Sequence, residues 1–314
     1  MTSISDIAKK VSVAKSTVSR VLNNHPHVSD KTREKVMAAI AELDYSPNQV
    51  ARDLSRGKTM KIGVVIPHTR HPYFTQLING LLDAAKESHY QLVMMPSNYD
   101  HELEISYLEQ LRHAAIDALI FTSREISVDV IEGYAKYGRI VLLEDLKGHN
   151  LLSSAFVDRY WAYLDIFTQL KEQKLTNLAL LFTRNNPDSA TYRTAMAAYE
   201  AVFGEREPLT FGGVNTYEDG YAVVEQLLAA LRKIDVVIAN SDNMAAGILD
   251  GYQDKQVTAP LVIGQDRQLV SKLLGIITID HKSYQLGKLA FEQVLSEEVS
   301  QKWLKSEVIR PDKG

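Results

Sequence analysis

Apolar residues recur along this chain in two rhythms, and the change between them falls near residue 60. In the first stretch Ile4, Ile7, Ala8 and Val11 follow a helical spacing, as do Val18, Val21 and Leu22, and then Val36, Ile40 and Leu43. That spacing predicts three short helices with these residues inward. Ser3 followed by Asp6 has the form of a capping box, and Ser29-Asp30-Lys31-Thr32 starts the third helix. A further helix is expected over about 47–56, since Ser46-Pro47 puts Pro at a first helical position and Gly57 can close it. About two turns of helix are not stable alone in water, so this one should fold only against a partner.

From Lys61 the pattern turns to short apolar runs alternating with amphipathic stretches. Strands are expected at 62–67, 92–95, 118–121 and 140–143, with helices at 74–88, 102–112 and 127–137 between them. A second series follows: strands at 178–182, 209–211, 235–239 and 260–264, with helices at 190–203, 217–231 and 242–253. Residues 276–279 then precede a last helix at 283–296. Alternation of this kind means parallel sheets covered on both faces. Two series mean two α/β lobes, with a cleft at the strand C-termini.

Composition narrows the class. At 314 residues, 45% hydrophobic and 24% charged, the chain has the makeup of an ordinary globular protein of about two domains plus an appendage. No run approaches the ~20 apolar residues of a membrane span, and no signal peptide is evident, so a cytoplasmic location is expected. The absence of cysteine excludes disulfides, thiolate zinc sites and cysteine nucleophiles. Charge is uneven: residues 1–60 hold ten Lys/Arg against six Asp/Glu, leaving the remainder net acidic. A basic module on an acidic body points to a polyanion partner for the module alone.

The second helix carries that chemistry. Lys15, Ser16, Thr17, Ser19 and Arg20 fall largely opposite Val18, Val21 and Leu22. A short helix with small hydroxylic and cationic side chains at its start fits a DNA major groove.

The succession of helix-turn-helix, Thr32-Arg33-Glu34-Lys35-Val36, Tyr45-Ser46-Pro47-Asn48 and Val50-Ala51-Arg52-Asp53-Leu54 resembles the LacI family of bacterial repressors. The likeness continues through nearly the whole chain. It implies an all-α DNA-binding domain at 1–58, with a hinge helix at about 47–56. It also implies an effector-binding and dimerisation core at 59–314, split into subdomains of 61–157 plus 283–300 and 158–280 plus 301–314. Carried over by position, Lys15, Ser16, Thr17, Ser19 and Arg20 would approach bases and phosphates, and His27 and Tyr45 would lie near the half-site. Asn48, Ala51 and Arg52 would join them, and Leu54 would be the wedge that two subunits insert into the minor groove. One departure stands out: Val11-Ser12-Val13-Ala14 replaces Ala-Gly-Val-Ser, and Ala14 lacks a capping hydroxyl worth roughly 1 kcal/mol.

The core resembles periplasmic sugar-binding proteins. Its strand ends carry His71, Tyr73 and Phe74, then Asp158 and Trp161, then Ser189 with Arg193, then Ser241-Asp242, Asp266 and His281. Carboxylates, Arg and aromatic faces are what sugar recognition uses. Family position sets Arg193 and Asp266 opposite each other, with His71, Tyr73 and Phe74 from the other lobe, while Trp161 could equally pack between lobes or at a dimer seam. The chain has Asp158-Arg159 where the family often has Asp-Asn, and Ser241-Asp242 where it often has Asn-Asp. Gly264-Gln265-Asp266-Arg267 replaces Gly-Phe-Asp-Asp, and Lys174 stands where a helix-ending Gly is common.

Enzyme readings find little. Gly212-Gly213 lacks dinucleotide-binding spacing, and no phosphate loop or nucleophile elbow occurs. His68 and His71 lack a third metal ligand, so no cofactor, metal or catalytic residue is expected. The expectation is a ligand-regulated repressor that binds a pseudo-palindromic operator as a homodimer, not a tetramer, with a sugar or sugar phosphate as effector. The alternatives are a solute-binding protein without transcriptional action, or a regulator using a phosphoprotein co-effector.

Overall fold

The computed structural model describes residues 3–46, 49–69, 71–184, 186–187 and 189–311; the side chains of residues 49–51 and 55 are outside the description. The chain divides into two compact units, Met1–Thr59 and Met60–Gly314.

Among its described residues the first unit has four helices: α1 (Ile4–Val11), α2 (Lys15–Leu22), α3 (Asp30–Glu42) and α4 (Gln49–Arg56). The capping box at Ser3 and Asp6 forms, and Ser29 accepts the N–H of Thr32 to cap α3. Ile7, Ala8, Val18, Val21, Val36 and Ala39 make the buried core. The turn after α1 closes at Ser12, whose backbone is left-handed (φ 57°). Its N–H reaches the Lys9 carbonyl at 3.3 Å, and that of Val13 the Ala8 carbonyl at 3.0 Å. α2 then opens at Ala14 with no side-chain cap. The Arg33 guanidinium donates to the Asn24 side chain and the His25 carbonyl, pinning the α2–α3 loop.

The second unit is built on two six-stranded sheets. The first contains β1 (Lys61–Ile66), β2 (Gln91–Pro96), β3 (Ala118–Phe121), β4 (Arg139–Leu142), β5 (Ser153–Asp158) and β11 (Gln301–Lys305), in the order β11-β5-β4-β3-β1-β2. The second contains β6 (Leu178–Leu181), β7 (Leu209–Phe211), β8 (Val236–Ile238), β9 (Leu261–Gln265), β10 (Ile277–Asp280) and β12 (Glu307–Ile309), in the order β12-β10-β9-β8-β6-β7. Every pairing is parallel except β10 with β12. Central strands such as Ile62-Gly63-Val64-Val65-Ile66 are buried on both faces, as parallel strands must be.

Helices α5 (Pro72–Ala85), α6 (His101–Arg112), α7 (Val128–Glu132) and α13 (Ser283–Leu295) serve the first lobe. The others are α8 (Tyr160–Glu172), α9 (Ala190–Phe203), α10 (Tyr217–Leu228), α11 (Asp242–Asp254) and α12 (Leu269–Leu274). Each lobe has one apolar cluster on either face of its sheet. No helix among the described residues is long and apolar enough to cross a membrane.

Several expectations need adjustment. The helix expected at 127–137 is α7 followed, after Gly133, by a separate 3₁₀ turn at Ala135–Tyr137. Residues 301–305 belong with the first lobe, because β11 pairs with β5, so the chain recrosses at Ser306 and not at 300. The lobes are thus joined at three places, near residues 159, 281–282 and 306. Lys174 does end α8 in a left-handed turn (φ 62°), where a non-glycine residue costs on the order of 1 kcal/mol.

Candidate functional site

Two sites emerge, one in each unit. In the first, α2 presents Lys15, Ser16 and Arg20 to solvent, with Thr17 and Ser19 half-buried beside them. His27 is exposed, whereas Tyr45 packs half-buried against the three-helix core. Asn48 and the side chain of Ala51 lie outside the described residues; Arg52 is half-buried. Leu54 is 85% exposed, and the apolar cluster of this unit does not include it. Packing within this unit's apolar cluster therefore does not account for that leucine.

In the second unit a cleft of about 1110 Å³ opens between the lobes. Of the residues singled out from sequence, His71, Tyr73, Phe74, Asp158, Trp161, Arg193, Asp266 and His281 line it. Ser241 and Asp242 do not. Both are fully buried behind it: Ser241 caps α11 by accepting the Met244 N–H. Asp242 accepts the Gln268 N–H at 2.6 Å and the Thr278 hydroxyl at 2.6 Å, fixing the loop after β9. Burial pushes its pKa up to about 6. Ser and Asp at a helix start read alike whether they face a ligand or a backbone.

His71 spans the lobes. It caps α5, its Nδ1 accepting the Tyr73 N–H at 3.2 Å, so Nε2 carries the proton and donates to the Asn240 carbonyl at 3.1 Å. Burial holds its pKa down to about 4. The Asp266 carboxyl lies 3.7 Å from Nδ1, but a neutral ring whose Nδ1 is already an acceptor makes no ion pair there. Asp266 sits on a left-handed backbone (φ 83°), and its Oδ2 is buried without a hydrogen-bond partner among the described residues. Desolvation pushes it up to about 7, against the pull of Arg159. An unanswered carboxyl in a cleft is a receptor for a hydroxyl donor.

Arg159 is the residue that sequence reasoning passed over. Its guanidinium lies 5.6 Å from the Tyr73 ring centroid and donates to the Thr191 hydroxyl at 3.2 Å. Its charge acts on His71, Tyr73, Tyr163, Asp266 and His281 together. The only signal was its departure from the family pattern after Asp158. Arg193 lines the same wall from α9, and Asp158 accepts the Tyr160 N–H at 3.0 Å. His281 belongs to a buried neutral chain. Its Nδ1 accepts from Ser306, its Nε2–H donates to Gln265 Oε1 at 2.7 Å, and that oxygen also takes the Tyr163 hydroxyl. Burial drives His281 well below the ordinary histidine range.

Further contacts bridge the cleft. Arg184 donates to Glu125 at 2.9 Å and lies 3.7 Å from the Tyr99 ring centroid. Buried Glu104 supports the receiving loop by accepting the N–H groups of Glu125 and Ile126. Arg124, beside them, makes a bidentate pair with Glu144 at 2.5 and 2.9 Å. Away from the cleft, Asp129, Glu132 and His149 bring ligand-type atoms within 4.8 Å of one another. There the His149 Nδ1–H donates to Glu132 at 3.0 Å, and Glu132 also accepts the Leu151 N–H, an arrangement that anchors a loop.

Residues 3–48 match bacterial regulatory proteins of the lacI family, and residues 59–305 match periplasmic binding proteins and the sugar-binding domain of the LacI family. Catabolite control protein B of Bacillus subtilis (strain 168) is 39% identical over 95% of this chain and 96% of its own. Catabolite control protein A of Priestia megaterium is 27% identical over 98% and 95%. Among solved structures, a LacI-family transcriptional regulator from Silicibacter pomeroyi superposes with a TM-score of 0.81 at 21% identity, covering 99% of each chain. The Lac repressor dimer bound to operator and the anti-inducer ONPF gives 0.79 at 21% identity, covering 98% of each.

Proposed function

Because the chain belongs to the LacI family of bacterial regulatory proteins, we propose that it represses transcription in the cytoplasm by gripping a pseudo-palindromic operator as a homodimer, under control of a carbohydrate in the cleft. The observation that carries the DNA half is Leu54, an apolar side chain left 85% exposed on an eight-residue helix. Paired across a two-fold axis, two such leucines make a wedge whose unstacking cost of a few kcal/mol is offset by the contacts a bent duplex allows. α2 would offer the major-groove face through Lys15, Ser16, Thr17, Ser19 and Arg20, and the family resemblance adds His27, Tyr45, Asn48, Ala51 and Arg52 as further DNA contacts.

The effector half rests on Asp266, His71, Arg159 and Arg193 facing one cleft. A sugar hydroxyl donating to Asp266 would satisfy its orphaned oxygen and reset the lobe angle through the His71 bridge. A coupling of ~1–3 kcal/mol, or roughly 5–150-fold in DNA affinity, is enough to regulate. Dimerisation is supported by exposed apolar side chains on α12, where Leu269 and Leu273 are 71% and 74% exposed, and by Leu82, Met94 and Leu103 on the first lobe. A phosphoprotein co-effector belongs to the same proposal as a second input. Tighter operator binding with a phosphorylated protein than with its unphosphorylated form would support it.

The test is selection of bound sites from random duplexes, followed by anisotropy at several salt concentrations. A pseudo-palindrome with steeply salt-dependent affinity is expected. Salt-independent or undetectable binding would overturn the proposal and favour a solute-binding protein. Leu54→Ala should weaken the selected site at least tenfold more than nonspecific DNA; equal loss on both contradicts the wedge.

A further inference from the structure

The chain has two tryptophans, and both stand in the same cleft with more than half of their surface exposed, Trp161 at 53% and Trp303 at 63%. A large aromatic face left in water is a candidate contact surface. Neither ring stands alone. Trp303 stacks on Phe156 with centroids 6.3 Å apart and planes 26° off parallel. Trp161 meets Tyr160 edge-on at 5.4 Å. The β5–β11 register sets Trp303 opposite Phe156 and Lys305 opposite Asp158, so the aromatic wall adjoins a carboxylate. Phe156, Tyr160 and Asp158 line the cleft as well.

This wall is distinct in chemistry from the polar group around Asp266, Asn240 and Arg193. The polar group answers ring hydroxyls, whereas indole faces answer the C–H face of a sugar ring. The volume of about 1110 Å³ exceeds the range of about 300–1,000 Å³ usual for small-molecule sites, so one ring would leave much of it unfilled. Trp303 stands away from at least part of the seam proposed above. The exposed first-lobe apolar residues proposed for dimerisation include Met94 on β2, and the sheet order puts β2 and β11 at opposite edges.

We propose that Trp161 and Trp303 wall a second sugar subsite, and that the effector is a carbohydrate of at least two rings, one on the polar group and one on the indoles. This rests on the carbohydrate reading of the cleft. The test titrates the full-length protein with glucose, galactose, fructose and ribose and with maltose, cellobiose, lactose, sucrose and trehalose. Calorimetry and intrinsic fluorescence are read together, and Trp161→Phe and Trp303→Phe assign the emission. At least one disaccharide should bind tenfold or more tighter than either of its component monosaccharides and shift the tryptophan emission. Trp161→Ala and Trp303→Ala should each cost that disaccharide at least tenfold more affinity than the monosaccharide, and the Phe variants should restore most of it. A monosaccharide that binds as tightly as any disaccharide, or Ala variants that weaken both alike, overturns the second subsite and leaves the sugar-regulated reading standing. No binding by any of the nine sugars overturns both.

Discussion

At Asp266 a carboxyl is held in a place that suits its neutral form. Its folded pKa of about 7 lies above the ordinary aspartate value, so its contribution to stability is full at low pH and is lost as pH rises through 7. His71 has the opposite sign. With a folded pKa of about 4, its contribution is full above pH 6.5 and is lost as pH falls through 4. Asp266→Asn removes only the first effect. Thermal unfolding should show the variant gaining on the parent as pH rises from about 4 to 7, by up to about 4 kcal/mol for a shift of some three pKa units, with no further gain above that range. A constant difference across that range would show that Asp266 ionises freely. The residue-level reading of the cleft was legible where a side chain's type and its strand-end position coincide, as at His71 and Asp266. It failed where one residue type serves two ends. Ser241 and Asp242 answer backbone N–H groups and a buried hydroxyl, while their neighbour Asn240 reaches the cleft through its backbone carbonyl, a contact that no side-chain pattern announces.

Elements with a helical rhythm and a capping residue were readable, because both signals are local. β5, β11 and β12 were not. Ser153-Ser154-Ala155-Phe156-Val157-Asp158 has no clean alternation, and Gln301–Lys305 is an edge strand whose side chains stay mostly solvated. What makes these runs strands is the neighbour they pair with. α8 and α12 were missed as well, and Gly133 broke a helix that periodicity alone would have continued. Helix pairing was equally hidden. α5 and α13 cross so closely that a Cβ at Gly80 would stand 2.0 Å from the Tyr284 carbonyl oxygen, and one at Gly287 would stand 2.1 Å from that of Leu77. Backbone cannot yield as a flexible side chain does. Gly80→Ala should therefore destabilise the core by roughly 2 kcal/mol or more, read as a lower denaturant midpoint with an unaltered slope.

For the molecule as a whole, the two-lobed plan and the separate basic module were visible in the change of rhythm at residue 60. The state of the cleft was not, since it depends on pairs far apart in sequence. Arg184 binds Glu125 and the Tyr99 ring from the other lobe, so Arg184→Ala should open the core. Small-angle scattering would register this as a larger radius of gyration, and an unchanged profile would assign closure to His71 and Arg159. If Leu269 and Leu273 face a second copy, Leu273→Glu should convert the dimer to a monomer in light scattering and weaken operator binding by more than tenfold; a persistent dimer would move the seam elsewhere.

Residues 301–309 give one strand to each sheet, with Ser306 between them on the His281 ring. A proteolytic nick that removed this tail would strip an edge from both halves at once and cut one of the three tethers on which they pivot. The basic module, folded on its own core nearly 250 residues upstream, would be untouched. Trimming the tail would therefore disable the sensor before the grip, turning an adjustable valve into one stuck at a single setting.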